Sequence, residues 1–252
     1  MNKTMPYHSP NTNTLRQSGV ALFVVIVFVM LSMLLALWAS RTSLFNELVV
    51  GNDADYQRAF EAAQALLQDA ELDIRGEKAD GSICAGSGDI CRTGTADKFP
   101  VESKDVGLLL ITLGGQTTQC RNGLCAKRSG KVDFWNNTDA TKGPTLAQMA
   151  TAGVGARYGQ YTGAAVGTTT SPANPILADT SADNRGGWYW IEVLPYDDSS
   201  KNSGLIIGGP NNLLSLNLTP NIVYRITSLA FGRKPNTLVV LQQTYARQKL
   251  KD

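Results

Sequence analysis

The residues best suited to chemistry in this chain are four cysteines, in two tight pairs, Cys84/Cys91 and Cys120/Cys125, both in polar, glycine-bearing sequence. Three connectivities are open to them, and the local one is favoured because closing a short loop loses the least chain entropy. In the chain-entropy treatment each such bridge stabilises by roughly 2–2.5 kcal/mol. Zinc is the rival, but both spacings are wider than the C-x-x-C of common zinc ribbons and no histidine lies nearby to complete a ligand set. Disulfides imply an oxidising compartment.

Other chemistry finds little to work with. The one histidine, His8, lies in a polar leader, and a chain cut after that leader has no imidazole for a triad, a metal site or acid–base work. There is no G-x-x-x-x-G-K-[ST] phosphate loop and no G-x-S-x-G elbow. Acidic residues cluster at Asp179, Asp183 and Asn184 and again at Asp197, Asp198 and Asn202, but not at the spacing of an EF-hand loop, and solvated turns explain them better. Asn136-Asn137-Thr138 and Asn217-Leu218-Thr219 fit the glycosylation sequon, a pattern frequent by chance. The turn Arg233-Lys234 and the tail Arg247, Lys249 and Lys251 read as solvated charge. With a net charge of +2 and interspersed signs, nothing calls for direct nucleic-acid binding. The expectation is a protein that is not an enzyme, with no catalytic, cofactor or metal residues.

What must position these residues is clearer. Residues 1–19 form a leader carrying Lys3 and Arg16, and from Val20 to Ala39 the chain is apolar and uncharged. About twenty such residues cross a bilayer core as one helix. A secretory signal has a shorter core followed by a small-residue cleavage site. Here the processing-like Gln17-Ser18-Gly19 lies before the apolar run, so a cut there would leave the helix as the new N-terminus. The positive-inside tendency keeps the leader cytoplasmic, although Arg41 beyond the run weakens the asymmetry.

The spacing predicts that the helix continues past the membrane half, residues 20–40, into an amphipathic half, residues 41–76. Tyr56, Phe60, Ala63, Leu67, Ala70 and Ile74 make a stripe, with Arg58, Glu61, Gln68, Asp69 and Glu71 off it. Alanines 59, 62, 63, 65 and 70 favour helix and permit close approach of a neighbour. Gly76 is the expected stop and Gly51-Asn52-Asp53 the weakest point; the whole helix would be roughly 80 Å long.

Residues 77–252 are expected to form the head. Within it, 77–105 reads as an irregular connection and Leu108–Leu113 as a short strand ended by Gly114-Gly115. Residues 114–187 read as a large variable loop region with a short helix at Leu146–Met149. Residues 188–246 should build an antiparallel sheet. Its strands are Trp188–Leu194, bounded by Gly187 and Pro195, then Val223–Phe231 and Leu238–Tyr245, with Gly232–Asn236 as the hairpin turn. Trp188 and Trp190 share a face and are expected in the core. The class is α+β, a long helix packed on a C-terminal sheet.

Two blocks carry a family resemblance. The first runs Gln17-Ser18-Gly19-Val20-Ala21-Leu22 through the apolar span to Arg41-Thr42, Glu47-Leu48 and Gly51-Asn52. It continues through Asp55–Arg58, Ala59-Phe60-Glu61-Ala62-Ala63-Gln64-Ala65-Leu66 and Asp69-Ala70-Glu71. The second is Tyr224-Arg225-Ile226-Thr227-Ser228, Phe231-Gly232 and Val239-Val240-Leu241-Gln242-Gln243-Thr244-Tyr245. With the Trp188–Leu194 strand, they resemble the PilX-type minor pilins of the type IV pilus. The resemblance implies a pilin fold, cleavage after Gly19 by the inner-membrane prepilin peptidase, and methylation of the new amine on Val20. Type IV pilins usually begin with an aromatic residue after the cut, and Val20 departs from that.

Major pilins carry a glutamate five residues into the mature helix, where this chain has Val24. That carboxylate is thought to pair with the amine of the subunit ahead. Leaving it unpaired in hydrocarbon costs about 2–3 kcal/mol, so it gives docking a direction. A subunit with Val24 makes no such demand, which points to a place at or near the pilus tip or in an initiating complex. The resemblance further implies, as partners, other minor pilins, the major pilin, the inner-membrane assembly platform and a large tip adhesin. It implies storage in the inner membrane with the head periplasmic, then an extracellular pilus supporting twitching motility, attachment or DNA uptake. Two alternatives stay open: a pseudopilin of a type II secretion tip complex, and a signal-anchored periplasmic enzyme or binding domain that never polymerises.

Overall fold

The computed structural model describes residues 18–85, 90–92, 97–128, 133–168, 173–197, 205–206 and 221–247. Most of the leader with His8, and Asp198, Asn202, Asn217, Lys249 and Lys251, for which the sequence raises expectations, lie outside the described residues. The chain divides at Gly51 into an N-terminal unit and a head that begins at Asn52.

The first element, α1 (Ser18–Arg75), is a single helix of 58 residues. Helical structure continues, as expected, through Gly51-Asn52-Asp53, the weakest point of the pattern. One helical glycine costs about 1 kcal/mol, too little to stop a helix whose flanks, Leu48-Val49-Val50 and Ala54, keep propagating it. It ends where expected. Gly76 takes φ 69°, its amide donates to the Asp73 carbonyl, and the Glu77 amide donates to the Leu72 carbonyl. This pair of bonds is a Schellman cap, and only glycine holds that backbone without strain.

In the head, α2 (Ser103–Gly114) replaces the strand expected at Leu108–Leu113. A six-residue apolar run does not separate strand from buried helix by itself. What decides is the capping box of Glu102 and Asp105 at its start, together with helical spacing that buries Leu109 and Leu113 and leaves Leu108 and Ile111 exposed. The expected loop region, 114–187, holds more structure than predicted. It contains a hairpin of β1 (Cys120–Arg121) and β2 (Leu124–Ala126), a 3-10 turn at Phe134–Asn136, and the expected short helix α3 (Leu146–Met149). The α3 cap is reciprocal: Thr145 and Gln148 each satisfy the other's backbone amide.

The C-terminal strands are β3 (Gly187–Asp197), β4 (Leu205–Ile206), β5 (Ile222–Phe231) and β6 (Leu238–Tyr245). Pro195 does not end β3, which runs two residues further and pairs with β4. The sheet order is β1-β2-β3-β5-β6, with β4 on β3. The β3-β5-β6 core is antiparallel, as expected, but β2 joins β3 in parallel, so the sheet is mixed.

Alternation along β3 builds two cores, one on each face. Tyr189, Ile191 and Val193 pack with Ala59, Ala62, Ala63, Leu66, Ala70 and Ile74 of α1. Trp188 and Trp190 pack with Phe134, Met149, Leu229 and the Cys120/Cys125 hairpin. The alanine row lets helix and sheet approach so closely that a Cβ at Gly187 would fall 2.5 Å from Leu66 Cδ1. Of the predicted stripe, Ala63, Leu67, Ala70 and Ile74 are buried, Phe60 is half-buried, and Tyr56 is exposed. Asp69, placed off the stripe by sequence, is buried instead.

Candidate functional site: an apolar helix and its polar anchorage

The N-terminal unit is a helix whose described side chains are exposed. Gly19 and Val20 lie in its first turn. From Val20 to Val50 every side chain is exposed, Val24 at 43%. Its most apolar stretch reaches a mean hydropathy of 3.2 with none of that stretch buried. Polar side chains in it are satisfied internally: Ser32 Oγ donates to the Val29 carbonyl at 2.9 Å and Thr42 Oγ1 to the Trp38 carbonyl at 3.0 Å. A helix whose backbone and whose Ser32 and Thr42 hydroxyls are bonded within itself is suited to hydrocarbon or to a bundle of like helices.

The part of α1 inside the head is fixed by carboxylates that the sequence reading missed. Asp55 accepts the Arg233 and Lys234 amides at 2.9 and 3.0 Å, and Lys234 Nζ donates to Asn52 Oδ1 at 3.0 Å. The turn read as merely solvated is thus tied to the helix, because its backbone amides point at a buried acceptor. Asp69 accepts the Gly159 amide at 2.8 Å and the Thr162 hydroxyl. Burial, reinforced by neighbouring Asp73, outweighs these donors and raises the Asp69 pKa to about 6. Asp73 takes Arg92 in a two-nitrogen grip, Nε at 2.9 Å and Nη2 at 2.7 Å, and the Tyr189 hydroxyl at 2.9 Å. Both partners of that pair are almost fully buried, and the Arg92 guanidinium also lies 3.7 Å over the Tyr161 ring. Ser228 Oγ adds a bond to the Ala63 carbonyl at 2.8 Å.

A phase signal for these acids was present. Asp55, Asp69 and Asp73 fall in step with Ala59, Ala62 and Leu66, three to four residues apart along one helix face. The second missed centre is Glu192 in β3, wholly buried, where Arg128 Nη2 donates at 2.9 Å and Arg225 Nε and Nη2 at 2.6 and 2.9 Å. The two guanidinia overcome the burial penalty and hold its pKa down at about 2.

The cysteines pair locally, Cys84–Cys91 and Cys120–Cys125. The second bridge closes the β1–β2 hairpin at directly opposed positions. The first closes the loop whose next residue is Arg92, so it helps deliver that cation to Asp73. Asp179 bonds Ser181 and Arg185, and the Asp183 carbonyl accepts Trp188 Nε1 at 2.8 Å. Among the described residues no three His, Cys, Asp or Glu side chains converge as a metal site.

The N-terminal unit is thus an exposed apolar helix, and the head is a mixed sheet that holds residues 52–75 of α1 through buried acids. Residues 18–68 match the PilX N-terminal family, and residues 121–247 match the type IV pilus assembly protein PilX C-terminal family. The chain belongs to the PilX family of type IV pilus assembly proteins. No curated protein and no solved structure matches it. The first match covers the helix from its start almost to Asp69, and the second spans the sheet from β1 through β6. As a PilX-type protein the chain is a structural component of pilus assembly, associated with other pilus components. Its apolar N-terminal helix is a membrane-anchoring segment.

Proposed function

We propose that this PilX-type subunit is a minor pilin that helps initiate type IV pilus assembly and sits at or near the pilus tip, supporting twitching motility and surface attachment. The observation that carries this reading is the uncharged, uncovered helix from Val20 to Ala39, with Val24 where a major pilin has glutamate. Before assembly that helix is held in the inner membrane, N-terminus cytoplasmic and head periplasmic. Prepilin peptidase cuts between Gly19 and Val20 and the Val20 amine is methylated. The assembly platform then extracts the helix, which is reburied against the helices of other minor pilins and the major pilin, beneath a tip adhesin. Lipid is as apolar as those helices, so side-chain packing rather than a hydrophobic drive favours the transfer. Without a carboxylate at Val24 the subunit needs no amine ahead of it, which suits a leading position.

Mass spectrometry of the purified protein tests the first step: the expected N-terminus is N-methylated Val20, and a chain still carrying Met1 refutes it. Immunogold labelling of sheared pili tests the second, with label expected at fibre ends. Label spread along the shaft, or a Val24→Glu variant with unchanged position and efficiency, refutes the tip placement.

A further inference from the structure

Among the described residues, the sheet order leaves β6 bonded on one side only. The Gly232 amide donates to the Thr237 carbonyl at 2.8 Å, and the pairing then runs without a slip from Phe231↔Leu238 to Tyr224↔Tyr245. Bonded and non-bonded pairs alternate in an antiparallel ladder, so the amides and carbonyls of Leu238, Val240, Gln242 and Thr244 face away from β5. The other side of β5 obeys the same alternation, since the Phe231 amide turns toward β3 and donates to the Gly186 carbonyl at 2.9 Å. Among the described residues nothing bonds to those four outward positions.

Proteins normally blunt such an edge with a charge, a proline or a bulge. Leu238–Tyr245 carries no charge and no proline, and its register has no bulge. Positive charge stands just beyond both ends, at exposed Arg233 in the turn and exposed Arg247 after the strand. Two copies pairing antiparallel through this edge would bring Arg247 of each toward the basic turn of the other, at both ends. A foreign strand with acidic ends would meet opposite charge instead.

We propose that β6 is an acceptor edge for an extended segment donated by a different chain, uncharged and β-branched over the length of β6 and carrying a carboxylate at each end. Its backbone would complete the ladder at the four open positions, and its alternate side chains would lie beside Val240 on one face and Leu241 on the other. The site lies wholly in the head and does not depend on where a fibre carries the protein.

The test uses the full chain in detergent micelles and a synthetic peptide of alternating Val and Thr, as long as β6, with Glu at both ends. Excess peptide is expected to slow exchange of the Val240, Gln242 and Thr244 amides by about tenfold or more. The same peptide capped with Lys should bind at least about tenfold more weakly. Gln242→Pro removes an outward amide and leaves the backbone ladder to β5 whole, losing only the bond that Gln242 Nε2 donates to Thr227 Oγ1 at 2.9 Å, so it should abolish the protection with circular dichroism unchanged and the melting temperature lowered only slightly. Gln242→Lys is the second variant should proline disturb the strand, with the same loss expected. The proposal is overturned if the amides are not slowed, if the Lys-capped peptide binds as well, or if both variants still bind. It is also overturned if these amides are already protected in the free protein in a concentration-dependent way, which would make a second copy the occupant.

Discussion

Replacing Arg92 with alanine is the sharpest perturbation of the head. Arg92 and Asp73 form a buried pair, their side chains 3% and 2% exposed, and Asp73 lies one helical turn from buried Asp69. With Arg92 gone, Asp73 keeps the Tyr189 hydroxyl but loses its counter-charge beside a second carboxylate. Breaking a buried pair by removing one partner costs about 3–5 kcal/mol, against a total stability of about 5–15 kcal/mol for a domain. The loss of the guanidinium from the Tyr161 ring adds about 1–2 kcal/mol. Arg92→Ala should therefore lower the urea midpoint of the full chain in micelles by about a quarter or more of its value, with an unchanged slope. Buried Trp188 and Trp190 supply the fluorescence signal. The companion variant is Asp73→Asn with Arg92→Met, which removes both charges and retains bulk. Because the cost of the single change is mainly an orphaned charge, the double variant should recover most of it. An Arg92→Ala loss under about 1 kcal/mol would refute the reasoning, as would a double variant less stable than the single.

Two further predictions concern pH. Asp69 has its folded pKa raised from 3.8 to about 6, so its protonation favours the folded state. That stabilisation is fully present below pH 3.8 and is lost as pH rises through about 6. Asp69→Asn should flatten the stability profile across this window, a difference of about 3 kcal/mol between its ends, read from urea midpoints at stepped pH. Glu192 has the opposite sign: its pKa is lowered from 4.5 to about 2, so its contribution is present above pH 4.5 and lost as pH falls through about 2. Glu192→Gln should remove that acid limb and, by leaving buried Arg128 without its carboxylate, destabilise the head by about 3–5 kcal/mol at neutral pH, measured in the same titration.

Much of the fold was legible because its signals were long or conformationally specific. The apolar run, the alanine stripe, the glycine stop at Gly76 and three strands rich in aromatic and β-branched residues all appear close to where the pattern placed them. The failures share a cause. Leu108–Leu113 was too short for its period to speak, and its helical state was set by Glu102 and Asp105 upstream. The parallel pairing of β2 with β3 joins residues more than sixty positions apart and leaves no local trace. The pattern puts Asp69 off the apolar stripe and gives Asp55, Asp73 and Glu192 no structural role, yet all four are buried because their partners come from distant loops and strands.

The buried acids answer a question that the alanine row raises. Four of the seven buried α1 residues in this core are alanines, and a one-turn shift that moves Ala63 to the place of Ala59 meets no change of shape, so only Leu66, Leu67 and Ile74 resist sliding by their size. Such a face specifies its axial position weakly. Asp55 at one end, accepting two turn amides, and Asp73 at the other, gripping Arg92 and Tyr189, each fit one axial position only. Displacing the helix by a turn would orphan both carboxylates in a dry interior, where each unpaired ionised group costs several kcal/mol. The acids therefore act as end stops for the helix within the head. Their spacing, 18 residues, is about 27 Å along the axis at 1.5 Å per residue. Pulling on the helix must break the two charged anchors, Asp55 and Asp73, together rather than slide past them one alanine at a time.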